Sequence, residues 1–285
     1  MDVRSTQVVD SGESEKAAAA LGSLKARKTP WLRVNLRGLA FILGLLVILE
    51  ILTATVVTSA YVPRVSEVGV ALFKELKHGE IFSGIGITAW NYVRGLTIAI
   101  VLGVVLGAVL GASQTAYQFF RVVIEFLRPL PSVALIPFSI LLFGVGSTTT
   151  IAMIAFASFW PILFNTYYGV RDVNEIAVDT GRSLGLSRLA IFLRVQIPSA
   201  AVNIAAGIRI SSAIALILVI TVEILTRSGG LGYYIVRMQV AMRTEDMYAA
   251  IFVVGMIGYA ISLLFASLER RLVFWNTDIR QSETS

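Results

Sequence analysis

The 285-residue sequence contains no cysteine and only one histidine, His78. Those two scarcities exclude disulfide frameworks, thiolate nucleophiles, iron–sulfur clusters and Cys/His zinc sites together. Charge is scarce as well. Asp, Glu, Lys and Arg make up 15% of the residues, where a soluble globular domain carries about 25%. Hydrophobic residues reach 56%, against about 45–50% in such a domain, so a water-soluble enzyme is a poor fit. No G-x-x-x-x-G-K-[ST] phosphate loop is present, so this chain does not itself cradle a nucleoside triphosphate in that way.

What is present is a series of long apolar runs. They fall near 39–57, 85–112, 122–143, 149–168, 200–225 and 248–268. A membrane helix needs about 20 apolar residues, so the pattern predicts an all-α polytopic membrane protein of six spans. The second run carries Gly103, Gly107 and Gly111, overlapping GxxxG units that let helix backbones approach closely. The third contains Pro129, Pro131 and Pro137 and should be broken or kinked.

Residues 1–35 are polar and small-residue-rich until the basic cluster Lys25, Arg27, Lys28 and Arg33, and read as a disordered basic tail. A transmembrane domain is expected over 36–275, with a long connecting loop at 170–199, and a short tail over 276–285. A signal peptide cleaved near Thr58-Ser59-Ala60 is the competing account of the first run, but that run is long and far from the N-terminus.

The net charge of +6 would suit nucleic acid, but in a membrane protein the placement of Lys and Arg chiefly encodes orientation. The two tails, the 113–121 loop and the 170–199 loop hold fifteen basic residues; the opposite side holds six, Arg64, Lys74, Lys77, Arg227, Arg237 and Arg243. The positive-inside rule then makes both termini cytoplasmic.

The 170–199 loop is the most informative stretch. Its mixed charge, with apolar residues at Ile176, Leu184, Leu186, Leu189, Ile191 and Phe192, suits short amphipathic helices lying across a surface. A plain solvated connection is the alternative. Gly181-Arg-Ser-Leu-Gly185 also matches the G-x-S-x-G nucleophile elbow, but that elbow needs a later histidine, and His78 comes earlier.

Within this loop the chain resembles the permease subunits of bacterial ABC importers. Their hallmark is Glu-Ala-Ala, three residues, Gly, nine residues, then Ile-x-Leu-Pro. Here Asp179-Thr180-Gly181 is followed by Gly185 and by Val195-Gln196-Ile197-Pro198 at the same spacing. Thr180 and Gly181 have lower helix propensity than the family's alanines, which bears on the stability of the first loop helix. Leu127-Arg-Pro-Leu-Pro-Ser-Val-Ala-Leu-Ile-Pro137, Leu142-Phe-Gly-Val-Gly146, Phe164-Asn-Thr-Tyr-Tyr-Gly-Val-Arg171, Ser228-Gly-Gly-Leu-Gly232 and Leu268-Glu-Arg-Arg-Leu272 look like the nitrate/sulfonate/taurine/bicarbonate branch.

The resemblance implies a type I permease fold in the bacterial cytoplasmic (inner) membrane. It implies a non-catalytic chain that binds no cofactor or metal, with ATP used by partner ATPase subunits. A second permease copy (a homodimer rather than a heterodimer) and an extracytoplasmic binding protein that docks near 61–84 and 226–246 complete the assembly. On this resemblance Glu175, Asp179, Thr180, Gly181, Gly185, Leu186 and Pro198 form the ATPase contact. The solute would be a small anion such as a sulfonate, taurine, nitrate or bicarbonate, or else an organic vitamin precursor.

Charges within the spans are costly and usually pair or face a cavity. Glu223, Arg209 and Ser212 are candidates to line the translocation path, with structural anchoring as the alternative for each. Arg209 and Glu223 are about 21 Å apart along one helix and do not pair with each other. Glu50 and Arg94 suit anchoring. A secondary transporter driven by an ion gradient is the competing function, but it predicts broken helices in both halves, and only the third run is visibly interrupted.

Overall fold

The computed structural model describes residues 36–55 and 61–272. The basic tail, the Thr58-Ser59-Ala60 site and the C-terminal tail from residue 273 lie outside the described residues. The chain divides into two units, Met1–Ile51 and Leu52–Ser285. The described part of the first unit belongs to α1 (Leu36–Thr55), a helix without a charged residue between Leu39 and Leu49.

In the second unit, α2 (Val65–His78) begins where Glu67 reaches back to accept the Arg64 backbone N–H at 2.9 Å. It ends at Gly79, whose φ of +81° is a left-handed conformation that glycine adopts without a Cβ clash. The chain turns directly into α3 (Glu80–Ala112), and α4 (Gln114–Leu127) follows after Ser113, whose hydroxyl accepts the Ala116 N–H. Pro129 and Pro131 prevent the helix from continuing. A 3-10 turn over Ser132–Leu135 leads into α5 (Ile136–Phe143), bent 82° from α4. The expected break in the third apolar run is therefore present.

α6 (Ser147–Arg171) occupies the middle of this unit. On one side it runs parallel to α3, in a register set by side-chain size. Gly95, Ala99, Gly103, Gly107 and Gly111 form a row of small residues every four positions on α3. Ile154, Ser158, Ile162, Thr166 and Val170 form the facing row on α6, also every four positions, and all are buried. A Cβ added at Gly107 would lie 2.6 Å from the Leu163 carbonyl oxygen, and one at Gly103 would lie 2.8 Å from the Ile162 Cβ. No side chain fits there, so the glycines set how closely the two helices approach.

On its other side α6 packs antiparallel to α9 (Ile197–Thr226). Ser158 and Ser211 each donate to the other's backbone carbonyl, at 3.3 and 2.6 Å, and Gly207 sits against Pro161 and Asn165. The core between α3, α5, α6 and α9 is apolar, with Ile136, Met153, Ile154, Val219 and Val222 almost fully enclosed.

Between α6 and α9 come α7 (Glu175–Ser183) and α8 (Arg188–Ile191). α8 runs through one wide turn at Phe192–Gln196 into α9, making a continuous helix of 39 residues from Arg188 to Thr226. Pro198 accounts for the wide turn. It has no N–H to offer the carbonyl four residues back, and the Ile197 N–H bonds five residues back, to Phe192. The unit closes with α10 (Gly230–Val240) and α11 (Thr244–Leu272).

No strand occurs among the described residues. Among the described residues four helices are long and apolar enough to cross a membrane: Glu80–Ala112, Ser147–Arg171, Arg188–Thr226 and Thr244–Glu269. The bent α4–α5 pair qualifies together as a fifth span. Of the expected first span, Ala40–Thr55 is described as an apolar helix and its continuation to Val57 is not.

Candidate functional site

The continuous 39-residue helix is about 58 Å long at 1.5 Å per residue. Its two ends carry different assemblies, the α7–α8 turn at the start and a polar knot around Glu223 at the finish.

At the first end, the Asn174 side chain caps α7 by accepting the Ile176 N–H at 2.9 Å. The helix stops at Leu184, and Gly185 takes a φ of +77°. The Gly185 N–H then bonds the Arg182 carbonyl at 2.9 Å, and the Leu186 N–H bonds the Gly181 carbonyl at 3.1 Å. This pair of bonds is a Schellman motif, which satisfies the helix's last carbonyls and reverses the chain in a few residues. Ser187 caps α8 through its hydroxyl, which accepts the Ala190 N–H.

Gly181, which stands in the family's second alanine position, is buried where α7 meets α8. A Cβ there would come within 3.3 Å of Ile191, so the small residue permits the contact. Glu175 is exposed in the first turn of α7, where a negative charge suits the helix dipole. Asp179 pairs with Arg182 at 2.8 Å, but both side chains are about two-thirds exposed, so the pair adds little stability. The Thr180 hydroxyl turns back onto the Ile176 carbonyl. Pro198 is exposed in the first turn of α9, just after the wide turn.

The apolar side chains of this end divide into two sets. Ile191 is buried and Leu186 and Phe192 are half-buried, so they hold α7 and α8 in place. Ile176, Leu184 and Leu189 are 74%, 75% and 66% exposed. Around the glycine turn the chain thus presents large apolar groups that it does not itself cover, rimmed by Glu175, Asp179, Arg182 and Arg188. A surface of that make-up fits a groove on a protein partner, with apolar anchors at the centre and charge at the edge.

At the far end, Glu223 has no exposed surface. Its carboxyl group accepts from the Thr88 hydroxyl at 2.8 Å and from the Gly232 N–H at 3.0 Å. The Thr88 oxygen in turn accepts the Leu231 N–H at 2.8 Å. One carboxyl group therefore ties α9 to α3 and fills the N-terminus of α10. The Ser228-Gly-Gly-Leu-Gly232 run is explained by the same contact. Gly230 has φ +87°, and a Cβ on it would overlap the Glu223 carboxyl; a Cβ on Gly232 would lie 2.5 Å from the Ile220 carbonyl oxygen. Sequence reasoning did not single out Thr88, Leu231 or Gly232 as partners of Glu223. The only signal for them was the glycine pattern.

Arg209 is half-exposed on α9 and forms an ion pair with Glu269 of α11. The Ser212 hydroxyl donates to the Arg209 carbonyl, and the Ser212 carbonyl accepts from Tyr92. The three candidate path residues are thus not one cluster: Arg209 and Ser212 sit about one turn apart, and Glu223 belongs to the knot.

Beyond the knot, α2, the start of α3 and the start of α11 border a cavity of about 690 Å³. Its walls include Glu67, Glu75, Glu80, Glu245 and Asp246 against Lys74 and Arg243. Arg243 bridges Asp246 at 2.6 Å and Glu75 at 3.1 Å, while Arg237 reaches Glu80 at 2.5 Å. Burial, and then the neighbouring Glu75 carboxylate, push the Tyr234 phenol up from its ordinary value. Among the described residues no group of three or more acidic, cysteine or histidine side chains could hold a metal ion.

Residues 99–275 match the family model described as binding-protein-dependent transport system inner membrane component. The putative aliphatic sulfonates transport permease protein SsuC of Escherichia coli (strain K12) is 31% identical over 198 residues, covering 70% of this chain and 75% of that protein. The taurine transport system permease protein TauC of the same organism is 28% identical over 185 residues, covering 65% of this chain and 67% of that one. Among solved structures, an inward-facing form of the MetNI methionine ABC transporter superposes with a TM-score of 0.59. It has 16% identity and covers 67% of this chain and 94% of that one, a likeness of fold.

Proposed function

The chain belongs to the family of binding-protein-dependent transport system inner membrane components, and from that premise we propose how its parts are used. The α7–α8 turn is the cytoplasmic lever on which a separate ATPase acts. The observation that carries this is the uncovered apolar set Ile176, Leu184 and Leu189 around a hydrogen-bonded left-handed turn at Gly185. Glu175, Asp179, Thr180, Gly181, Gly185, Leu186 and Pro198 are proposed to build that contact or hold its shape. Closure of two ATPases would move the α7–α8 turn. Because α8 is continuous with α9 through the wide turn, that movement passes into the membrane-crossing helix without an intervening loop.

The excess of basic residues on the α7–α8 side supports placing that side, and both termini, in the cytoplasm. The opposite end, with α2, α10 and the acidic cavity, is then the face to which an extracytoplasmic binding protein delivers solute. Two permease chains, as a homodimer, would enclose the path. Arg209 and Ser212 are the proposed lining residues, and Glu223 acts from behind by fixing α9 to α10. The solute proposed is a small anion, a sulfonate, taurine, nitrate or bicarbonate; relatives named for aliphatic sulfonates and taurine support that class. The N-terminal amides of α10 are not a free anion site, since Leu231 and Gly232 already donate to Thr88 and Glu223.

The test is Gly185→Trp. A Cβ at this position meets nothing within 4 Å, but at φ +77° any side chain strains the turn, so membrane insertion and the unfolding midpoint are measured beside uptake. Uptake and permease-dependent stimulation of the ATPase should both be lost. Unchanged uptake would refute the assignment of the lever.

A further inference from the structure

α3 is longer than a bilayer's hydrocarbon is thick. Its 33 residues extend about 50 Å at 1.5 Å per residue, and the hydrocarbon core is about 30 Å. Roughly 20 Å of the helix must stand outside that core, and the side chains show at which end. From Gly95 to Ala112 there is no charged residue, and the exposed stripe is Ile98, Val101, Leu102, Val105, Leu106 and Val109. That stretch is about 27 Å long, close to the whole hydrocarbon thickness.

Immediately before it, the Arg94 guanidinium lies 4.1 Å from the centroid of the Trp90 ring, and both side chains point away from the protein. No described carboxylate forms an ion pair with Arg94. If the bilayer were centred on the whole helix, near Leu96, an exposed arginine would sit at the midplane, where charge is strongly disfavoured. At the hydrocarbon edge the same pair is favourable. An indole prefers the interface, and a guanidinium there reaches lipid phosphate.

The neighbouring helix agrees with that level. Gly95 packs on Ile154, so Ser147, Thr148, Thr149 and Thr150 at the start of α6 lie on the Trp90 side of it, where polar groups are tolerated.

We propose that Trp90 and Arg94 form a lipid-headgroup anchor that sets the hydrocarbon boundary partway along α3, leaving Glu80–Ala89 outside the hydrocarbon. The Thr88–Glu223 tie and α10 then lie in the headgroup layer or beyond, within reach of a water-soluble partner. Thr88 precedes Arg94 by six residues, about 9 Å. The inference uses the membrane location of the family and does not depend on which face is cytoplasmic.

The absence of native cysteine makes the test direct. Single cysteines replace Ser83, Gly86, Thr97, Val101, Val105 and Val109, all exposed, in the full chain. Each carries a nitroxide, in vesicles of phosphatidylethanolamine and phosphatidylglycerol. Collision rates with oxygen and with a water-soluble nickel chelate give the depth of each label. The deepest labels should be Val101→Cys and Val105→Cys, with Ser83→Cys open to the nickel chelate. A profile deepest at Thr97→Cys, with Ser83→Cys and Val109→Cys equally shallow, would overturn the boundary. Repeating the series on Arg94→Leu should move the deepest point toward Glu80 by a turn or more. An unmoved profile would remove the anchoring role from Arg94.

Discussion

Replacing Glu223 tests whether the buried knot holds α9, α3 and α10 together. Its carboxyl group accepts from the Thr88 hydroxyl and the Gly232 N–H, and it has no contact with solvent. Glu223→Ala leaves both donors unsatisfied and opens a void, at a cost of roughly 3–6 kcal/mol from about 1–3 kcal/mol per stranded group. Glu223→Gln can keep its oxygen in the place of Oε2, which accepts both the Gly232 N–H at 3.0 Å and the Thr88 hydroxyl at 2.8 Å, and then loses only the 3.0 Å contact of Thr88 with Oε1. Both donors then keep an acceptor, and the cost is smaller, about 0.5–1.5 kcal/mol. Thermal unfolding of the purified chain in detergent should rank wild type above Glu223→Gln above Glu223→Ala. Thr88→Val combined with Glu223→Ala should be non-additive by about 0.5–3 kcal/mol, because both remove the same bond. A wild-type midpoint for Glu223→Ala, or strict additivity in the pair, would refute the knot.

Other substitutions separate neighbouring effects. Gly107→Ala should destabilise by about 1–3 kcal/mol, because its Cβ meets the Leu163 carbonyl oxygen at 2.6 Å. Gly86→Ala, on the open side of the same helix, should stabilise by about 0.5–1 kcal/mol; the same detergent melts read both, and equal effects would refute the close α3–α6 packing. Gly185→Asn should support more ATPase stimulation than Gly185→Val, since asparagine tolerates the left-handed conformation and valine does not; equal activity would show that the turn need not be kept. Arg243→Met leaves Glu75, whose side chain is 8% exposed, without its cation. With Arg243 itself half-exposed, the loss should be about 1–2 kcal/mol, seen as a lower unfolding midpoint.

The apolar runs, the proline break and the glycine turn were legible in the sequence because each is written in local residue chemistry. Gly185 stands at the spacing that identifies the loop, and its left-handed φ is the reason a glycine is there. The Gly103, Gly107, Gly111 pattern was legible too, but its continuation through Ala99 and Gly95 has meaning only beside the facing row on α6. That facing row sits in another apolar run and gives no signal of its own. Glu223 stood out as a charge in a span. Its partners did not, because Thr88 is 135 residues away and Gly232 contributes a backbone amide.

Helix lengths were also hidden. α3 starts at Glu80 rather than near Ile85, and α9 continues back through α8 to Arg188, because packing extends helices past the point where hydropathy falls. α10 lay unmarked in a segment read only as an outer loop. Its N-terminus is closed by a carboxyl group from another helix instead of by a local capping residue.

The most direct measurement is solute uptake by the purified chain in liposomes, with and without the cognate ATPase and binding protein. The account predicts ATP-dependent uptake only with both present, and its loss in Gly185→Trp. Accumulation of solute by the chain alone, driven by an ion gradient, would contradict it.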